Sequence, residues 1–289
     1  MDARTLRLID HFSSLAPDYD VVLSDVWGVV HNGVAAYPEA GEALARFRDS
    51  GGTVVLVSNS PRPGEPVTHQ LDHFGVIRAA YDGIVTSGDV TRGVLSERPG
   101  ANVLNIGPQR DLSIFDGLDI HFTALETADL VVCSGLFDDE IETAEDYRDL
   151  LGQVRARRLA MICANPDVVV ERGDRLVYCA GAIADLYATM GGDVLYAGKP
   201  HRPIYDLALK ECAARRGKPC DLTRVLAIGD SVRTDFKGAL ALGVDCLFVT
   251  AGIHAEELGG HDRPDMTALA AMFAEAGELP AAVMRRLVW

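Results

Sequence analysis

Asp25 ends an apolar run in "VVLSDVWGVVHNG", and Asp230 ends another in "AIGDSVRTD". Two more apolar runs close on polar residues: "LVSNS" on Ser58 and Asn59, and "YAGKP" on Lys199. These residue types fit phosphoryl transfer. A carboxylate such as Asp25 can accept a phosphoryl group covalently and so split one hard displacement into two easier ones. Mg²⁺ prefers oxygen donors and keeps several waters, so two carboxylates and a substrate oxygen are enough to hold it. Asp25 and Asp230 are the candidate metal ligands, with the backbone carbonyl of Trp27 as a third. Ser58 and Asn59, with nearby backbone N–H groups, are candidate phosphate binders. Lys199 would offset crowded anionic charge and charge developing in the transition state. Asp235, at the start of a helix, would cap backbone and orient the groups that touch the metal. Gly28 and Gly229 let the backbone turn closely around an anion or metal.

Each residue alone has a plainer reading. Asp25 is then a turn or helix-cap carboxylate, Ser58 and Asn59 strand terminators bonded to local backbone, Lys199 a solvated lysine and Asp235 a helix cap. What favours chemistry is their joint occurrence at the ends of apolar runs.

The elements that must position them alternate. "DVVLSDV" reads as a strand, and "YPEAGEALARFRDSGG" as a helix with Ala40, Leu44 and Phe47 on one face. "TVVLVSNS" is a strand, "PRPGEP" a turn and "VTHQLDHFGV" a helix. The same order returns late, with "KPHRPIYDLALKECAARRG" as a helix, "RVLAIGD" as a strand, "RTDFKGALALG" as a helix and "DCLFVTAG" as a strand. Near-continuous apolar strands alternating with helices predict a parallel sheet covered on both faces. The carboxyl ends of such strands share one edge, where distant residues meet. Between the halves, "NVLNIG", "DLVVCSG", "YRDLLGQVRARR", "LAMICANPD" and "RLVYCAG" form a second α/β series with boundaries near 86 and 181. The N-terminal "MDARTLRLIDHFSSL" predicts an amphipathic helix through Leu8, Phe12 and Leu15.

Composition narrows the partners. A formal net charge of −15 without any Lys/Arg run argues against nucleic acid and against an anionic membrane surface. No apolar run is long enough to span a bilayer, and no signal-peptide pattern opens the chain, so the expected compartment is the cytoplasm. Six scattered cysteines without a CxxC are expected as reduced, packed thiols.

Taken together, "DVWGVVHNG", "VSNS", "GKP" and "GDSVRTD" resemble, in order, the four motifs of the haloacid dehalogenase (HAD) superfamily. The large insert between the second and third motifs, with "ANPD" and "GAIADL" near its end, resembles class IIA. Members of that class include phosphatases of sugar and other small phosphate esters, of nitrophenyl phosphate and of pyridoxal phosphate. The resemblance implies an α/β fold: a Rossmann-like core with a parallel sheet in residues 1–86 and 181–289, and a smaller inserted α/β cap in residues 87–180. It implies Mg²⁺ dependence, with Asp25 as nucleophile and metal ligand, Ser58 on the phosphate, Lys199 on the anion, Asp230 on the metal and Asp235 in the same acidic motif. A small phosphorylated metabolite is the implied partner, and a homodimer is compatible with the class.

One position departs from the motif. The family places a second aspartate where Trp27 stands, to protonate the leaving oxygen and then activate water, and indole does neither. Positioned acid–base catalysis is worth about 10²–10⁴ in rate. Substrates with good leaving groups, acyl phosphates among them, need less of it. His31 in the same loop is the candidate replacement acid/base, with a structural histidine as the plainer alternative. Trp27 itself either packs or stacks on an aromatic or sugar substrate. The two expectations are therefore a Mg²⁺-dependent phosphatase and a weakly active or non-catalytic binder of phosphometabolites.

Overall fold

The computed structural model describes residues 6–172, 175–260 and 263–289. They fall into two compact units. The first comprises Met1–Ser58, Thr68–Val85 and Tyr205–Trp289, and the second Asn59–Val67 and Thr86–Ile204.

In the first unit, strands β1 (Val21–Ser24), β2 (Thr53–Ser58), β3 (Gly83–Thr86), β11 (Val225–Gly229), β12 (Asp245–Val249) and β13 (Ala282–Met284) form one sheet, in the order β13-β12-β11-β1-β2-β3. The pairs β1–β2, β1–β11, β11–β12 and β12–β13 are parallel. Every residue of β1, β2 and β11 is buried, as the unbroken apolar runs require of strands covered on both faces. Helix α1 (Pro38–Asp49) starts with Pro at its first position, where a missing N–H costs nothing, and buries Ala40, Leu44 and Phe47. Helix α6 (Arg202–Arg216) buries Ile204, Ala208 and Cys212, and α7 (Lys237–Leu242) stops at Gly243, which takes φ +80°. Helix α8 (Met266–Ala276), like β3 and β13, is an element that the sequence patterns leave unmarked.

The second unit has its own parallel sheet. Strands β4 (Ala101–Ile106), β5 (Ile120–Phe122), β6 (Leu130–Cys133), β7 (Ala160–Cys163) and β10 (Val194–Tyr196) run in the order β10-β7-β6-β4-β5. Helices α3 (Ser87–Ser96), α4 (Arg148–Ala156) and α5 (Ala180–Thr189) belong to this unit, and β8 (Val169–Arg172) with β9 (Arg175–Tyr178) makes an antiparallel hairpin. Leu151 and Val154 of α4 and Ile183 and Tyr187 of α5 share a buried cluster with Val131, Cys133, Met161 and Cys163 of β6 and β7. Residues 181–204 fall in this unit because β10 pairs with β7, Val194 facing Met161.

Three sequence expectations need correction. Residues 6–18 do not form the amphipathic helix; residues 1–5 of that stretch lie outside the described residues. Leu8 instead bridges Val283 in parallel, with Ile9 N–H donating to Val283 and Val283 N–H donating to Arg7. Pairing with the edge strand β13 overrides helical periodicity, and only short 3₁₀ turns follow at Phe12–Ser14 and Ala16–Asp18. Phe12 and Leu15 are buried all the same. Helix α2 (Gly64–Phe74) begins inside the expected "PRPGEP" turn, since Pro66 in a first helical turn forfeits no helical hydrogen bond. The helix expected over "RTDFKGALALG" opens as a π turn, Val232–Phe236, before α7.

All six cysteines are free, and five are buried. Among the described residues, no helix is long and apolar enough to cross a membrane.

Candidate active site

Strand order explains how Asp25 and Asp230 meet. From β1 the chain moves to β2 and β3 on one side, while β11, β12 and β13 lie on the other. The carboxyl ends of β1 and β11 therefore flank the point where the order reverses, the place where open parallel sheets bind ligands. Ser24 pairs with Ile228, and Asp25 N–H donates to the Ile228 carbonyl at 2.7 Å. One residue past each strand's end stand the two acids.

Carboxylate oxygens of Asp25, Asp230 and Asp235 all lie within 4.8 Å of one another. Backbone fixes each of them. Val26 N–H donates to Asp25 Oδ1 at 2.6 Å, Ile253 N–H to Asp230 Oδ2 at 2.7 Å, and Ser231 N–H to Asp235 Oδ2 at 3.2 Å. Asp230 and Asp235 are 4% and 3% exposed and Asp25 9%, so bulk water screens their mutual repulsion little. Three hard oxygen donors at this spacing fit a small divalent cation, and a cation would relieve that repulsion.

Two glycines make the close approach workable. A Cβ on Gly28, which takes φ +83°, would overlap Asp230 Oδ2, and a Cβ on Gly252 would overlap the same oxygen. Gly252 and Ile253 carry no reactive side chain, so the sequence reading missed them; their only signal was their place at the close of the strand reading "DCLFVTAG", which ends on Gly252. Ser58 closes β2 on the same edge of the sheet, two residues beyond the Ser24–Leu56 pair, and is nearly buried.

Trp27 sits between Val26, bonded to Asp25, and Gly28, pressed on Asp230. Its ring meets His31 edge-on at 5.2 Å, and Gly33, at φ +84°, leaves room for the ring that a Cβ would fill. Its indole Nε1 is buried and has no hydrogen-bond partner among the described residues. His31 is 3% exposed and packs also against Phe74 at 4.9 Å. Gly33 N–H donates to His31 Nδ1 at 2.9 Å, which puts the ring proton on Nε2. Burial pushes the imidazole down to about 4. A neutral ring with one nitrogen committed suits packing rather than proton transfer, so His31 is not retained as the acid/base.

This burial has a measurable consequence. Unfolded, His31 titrates near the usual 6.5, so between that value and about 4 the unfolded chain binds more protons. Its stabilising effect is complete above about 6.5 and is lost as pH falls through about 4. Asp111 acts in the opposite sense, because burial raises its carboxyl to about 6, against the pull of Arg110 and Arg62. Comparing wild type with His31→Gln isolates the histidine. From pH 7 to pH 4 wild type should lose about 3 kcal/mol relative to the variant in urea unfolding. A difference independent of pH would refute this account.

In the second unit the structure joins Lys199 and Asn59. Both are 3% exposed, and Asn59 Oδ1 accepts the Lys199 N–H at 2.7 Å. Burial to this degree is unusual for lysine and sets Lys199 apart from the solvated surface lysine of the plainer reading. After β7 the chain turns at Asn165, Pro166 and Asp167, with Asp167 N–H donating to Asn165 Oδ1 at 3.1 Å. Asp185 accepts the Tyr196 hydroxyl at 2.7 Å, and His201 stacks on the Tyr196 ring at 4.7 Å, so both have packing roles within the unit.

Comparison with known proteins bears on these motifs directly. Residues 22–121 match a family described as haloacid dehalogenase-like hydrolase, and residues 196–276 match one described as HAD-hydrolase-like. A crystal structure of a haloacid dehalogenase-like hydrolase from Brucella suis 1330 is 47% identical with a TM-score of 0.87, over 97% of this chain and 100% of that one. This chain belongs to the haloacid dehalogenase-like hydrolases. It is also 25% identical to the 5'-nucleotidase YutF of Bacillus subtilis, over 83% of this chain and 90% of that protein. With the D-glycerol 3-phosphate phosphatase of Mycobacterium tuberculosis it shares 28% identity, over 84% of this chain and 66% of that protein. Membership of the family makes the chain a hydrolase with a Rossmann-like α/β fold, as its motifs implied.

Proposed function

We propose that the protein is a Mg²⁺-dependent phosphatase that hydrolyses a small organic phosphate through an aspartyl-phosphate on Asp25. The observation that carries this reading is the trio Asp25, Asp230 and Asp235, held by backbone amides with oxygens within 4.8 Å. Asp25, Asp230 and the Trp27 carbonyl would hold Mg²⁺, which when bound supplies Lewis-acid polarisation of a phosphoryl oxygen. Asp25 attacks phosphorus with one carboxylate oxygen, and the bond to the leaving oxygen breaks. Water then attacks the phosphoryl group, the bond from phosphorus to Asp25 breaks, and phosphate leaves with Asp25 returned as carboxylate. Solvent protonates the leaving oxygen and takes the proton that the water gives up. Ser58 and nearby backbone N–H groups bind the phosphoryl oxygens, and Gly28 lets the backbone pass close to the acids. Lys199 offsets the anion's charge. Asp235, tied back to Ser231, orients the acidic loop.

In this reading the first unit acts as core and the second as cap, so residues 181–204, which the motifs had given to the core, go with the cap. The substrate is a small phosphorylated metabolite, and the compartment the cytoplasm, in keeping with six unpaired thiols. Nucleotide monophosphates and glycerol 3-phosphate, named by the relatives, head the ester panel to assay. Release of phosphate should require Mg²⁺ and stop with EDTA. Full turnover in EDTA would reject the metal-dependent mechanism.

Trp27 favours a second reading: a phosphometabolite-binding protein that retains the cradle without useful turnover. Phosphate binding by calorimetry with no ester hydrolysed would support it, and robust native turnover would dismiss it.

A further inference from the structure

Asn59 was expected to touch phosphate, yet every polar atom of its side chain is engaged within the second unit. Oδ1 accepts the Lys199 N–H at 2.7 Å and the Ser87 hydroxyl at 3.5 Å. Nδ2 donates to Asp167 Oδ1 at 2.9 Å and to the Lys199 carbonyl at 3.2 Å. These partners fix which way the amide points, since a backbone N–H needs the oxygen and a carboxylate needs the NH₂. One side chain therefore grips both backbone polar groups of Lys199.

The grip is built into a buried frame. Asn59 and Lys199 are 3% exposed and Ser87 is fully buried. A Cβ on Gly198 would overlap Ser87 Oγ and Asn59 Oδ1 and would sit 2.8 Å from Pro166 Cδ, so only glycine fits before Lys199. Asp167 is itself held, its N–H donating to Asn165 and its carbonyl accepting from Gly181 at 3.0 Å. Gly181 in turn approaches the Pro166 and Asp167 carbonyls so closely that a Cβ there would overlap both. The turn after β7 thus supports Asn59, and Asn59 supports Lys199.

We infer that Asn59, backed by Asp167 and Ser87, is a positioning residue for Lys199. The inference rests on the proposed phosphatase reaction, in which Lys199 stabilises the anion. A lysine ammonium sits at the end of a flexible four-carbon stem, so fixing its main chain removes one source of slack. A misplacement near 1 Å can cost about 10² in rate.

The test is a double-mutant cycle on the full chain, assayed with p-nitrophenyl phosphate and Mg²⁺. Lys199→Ala should lower kcat/KM by about 10²–10³, and Asn59→Ala by about 10². The double variant should be no worse than Lys199→Ala by more than a few-fold, because a displaced lysine and a missing one forfeit the same interaction. Losses that multiply would mean that Asn59 serves the fold alone and would overturn the inference. Asp167→Asn keeps an acceptor for Nδ2 and should fall less than about tenfold, whereas Asp167→Ala should fall further. Should Asn59→Ala not fold, Asp167→Ala replaces it in the same cycle, with the same decision rule. If wild type turns over no ester, the phosphatase reading fails, and the same four proteins titrated with inorganic phosphate decide the positioning: affinity losses that do not multiply support it, and multiplicative losses overturn it.

Discussion

Asp25→Asn should abolish turnover, by about 10⁴-fold or more, and added Mg²⁺ should not restore it. The substitution is nearly isosteric. The new amide would still offer its oxygen to the Val26 N–H, keeping the 2.6 Å bond that shapes the loop, so the fold should survive. What disappears is the oxygen nucleophile and one of the three negative charges within 4.8 Å. Asp230→Asn makes the informative control. It removes a metal ligand but no nucleophile, so saturating Mg²⁺ should recover part of its activity. Its Oδ2 accepts from Ile253 N–H, and that bond is lost if the amide nitrogen takes the position, so some loss of stability is expected too. The measurements are kcat and KM over a Mg²⁺ titration, with unfolding transitions to show that both variants fold. Undiminished turnover in Asp25→Asn would remove the covalent mechanism outright.

The acidic pair was legible because parallel strands leave few choices. Once "VVLSDV" and "RVLAIGD" read as buried strands of one sheet, their carboxyl ends had to share an edge, and Asp25 and Asp230 stood at those ends. Register then did what spacing alone could not state, setting Ser24 against Ile228. The N-terminal stretch shows the opposite case. Phe12 and Leu15 are buried as helical periodicity would have them, but Leu8 is half exposed and its backbone neighbours pair with Val283 far along the chain. A non-local partner of that kind leaves no local trace. Gly252 and Ile253 escaped notice for another reason: they act on Asp230 through an absent side chain and a backbone N–H. Asn59 was visible, but its task was not, because the groups it bonds come from residues 87, 167 and 199.

Trp27→Asp should raise turnover of alkyl phosphates by about 10²–10⁴, and raise aryl phosphates much less. The reason lies in what the loop from Val26 to Tyr37 now offers. The indole N–H of Trp27 is far too weak an acid to transfer a proton, and it is buried without a partner among the described residues. His31, pushed down to about 4, is neutral at pH 7 and uses Nδ1 to accept from Gly33. Neither can protonate a departing alkoxide. In wild type, rate should therefore fall steeply as the pKa of the leaving group rises, across a series of substituted phenyl phosphates extended to alkyl esters. An aspartate at position 27 would flatten that slope, since a protonated carboxyl stabilises poor leaving groups most. The gain comes at some cost in stability, because the ring fills the space beside Gly33 and His31. A wild-type slope that is already flat would show that a group outside this loop delivers the proton, and Trp27→Asp would then add little.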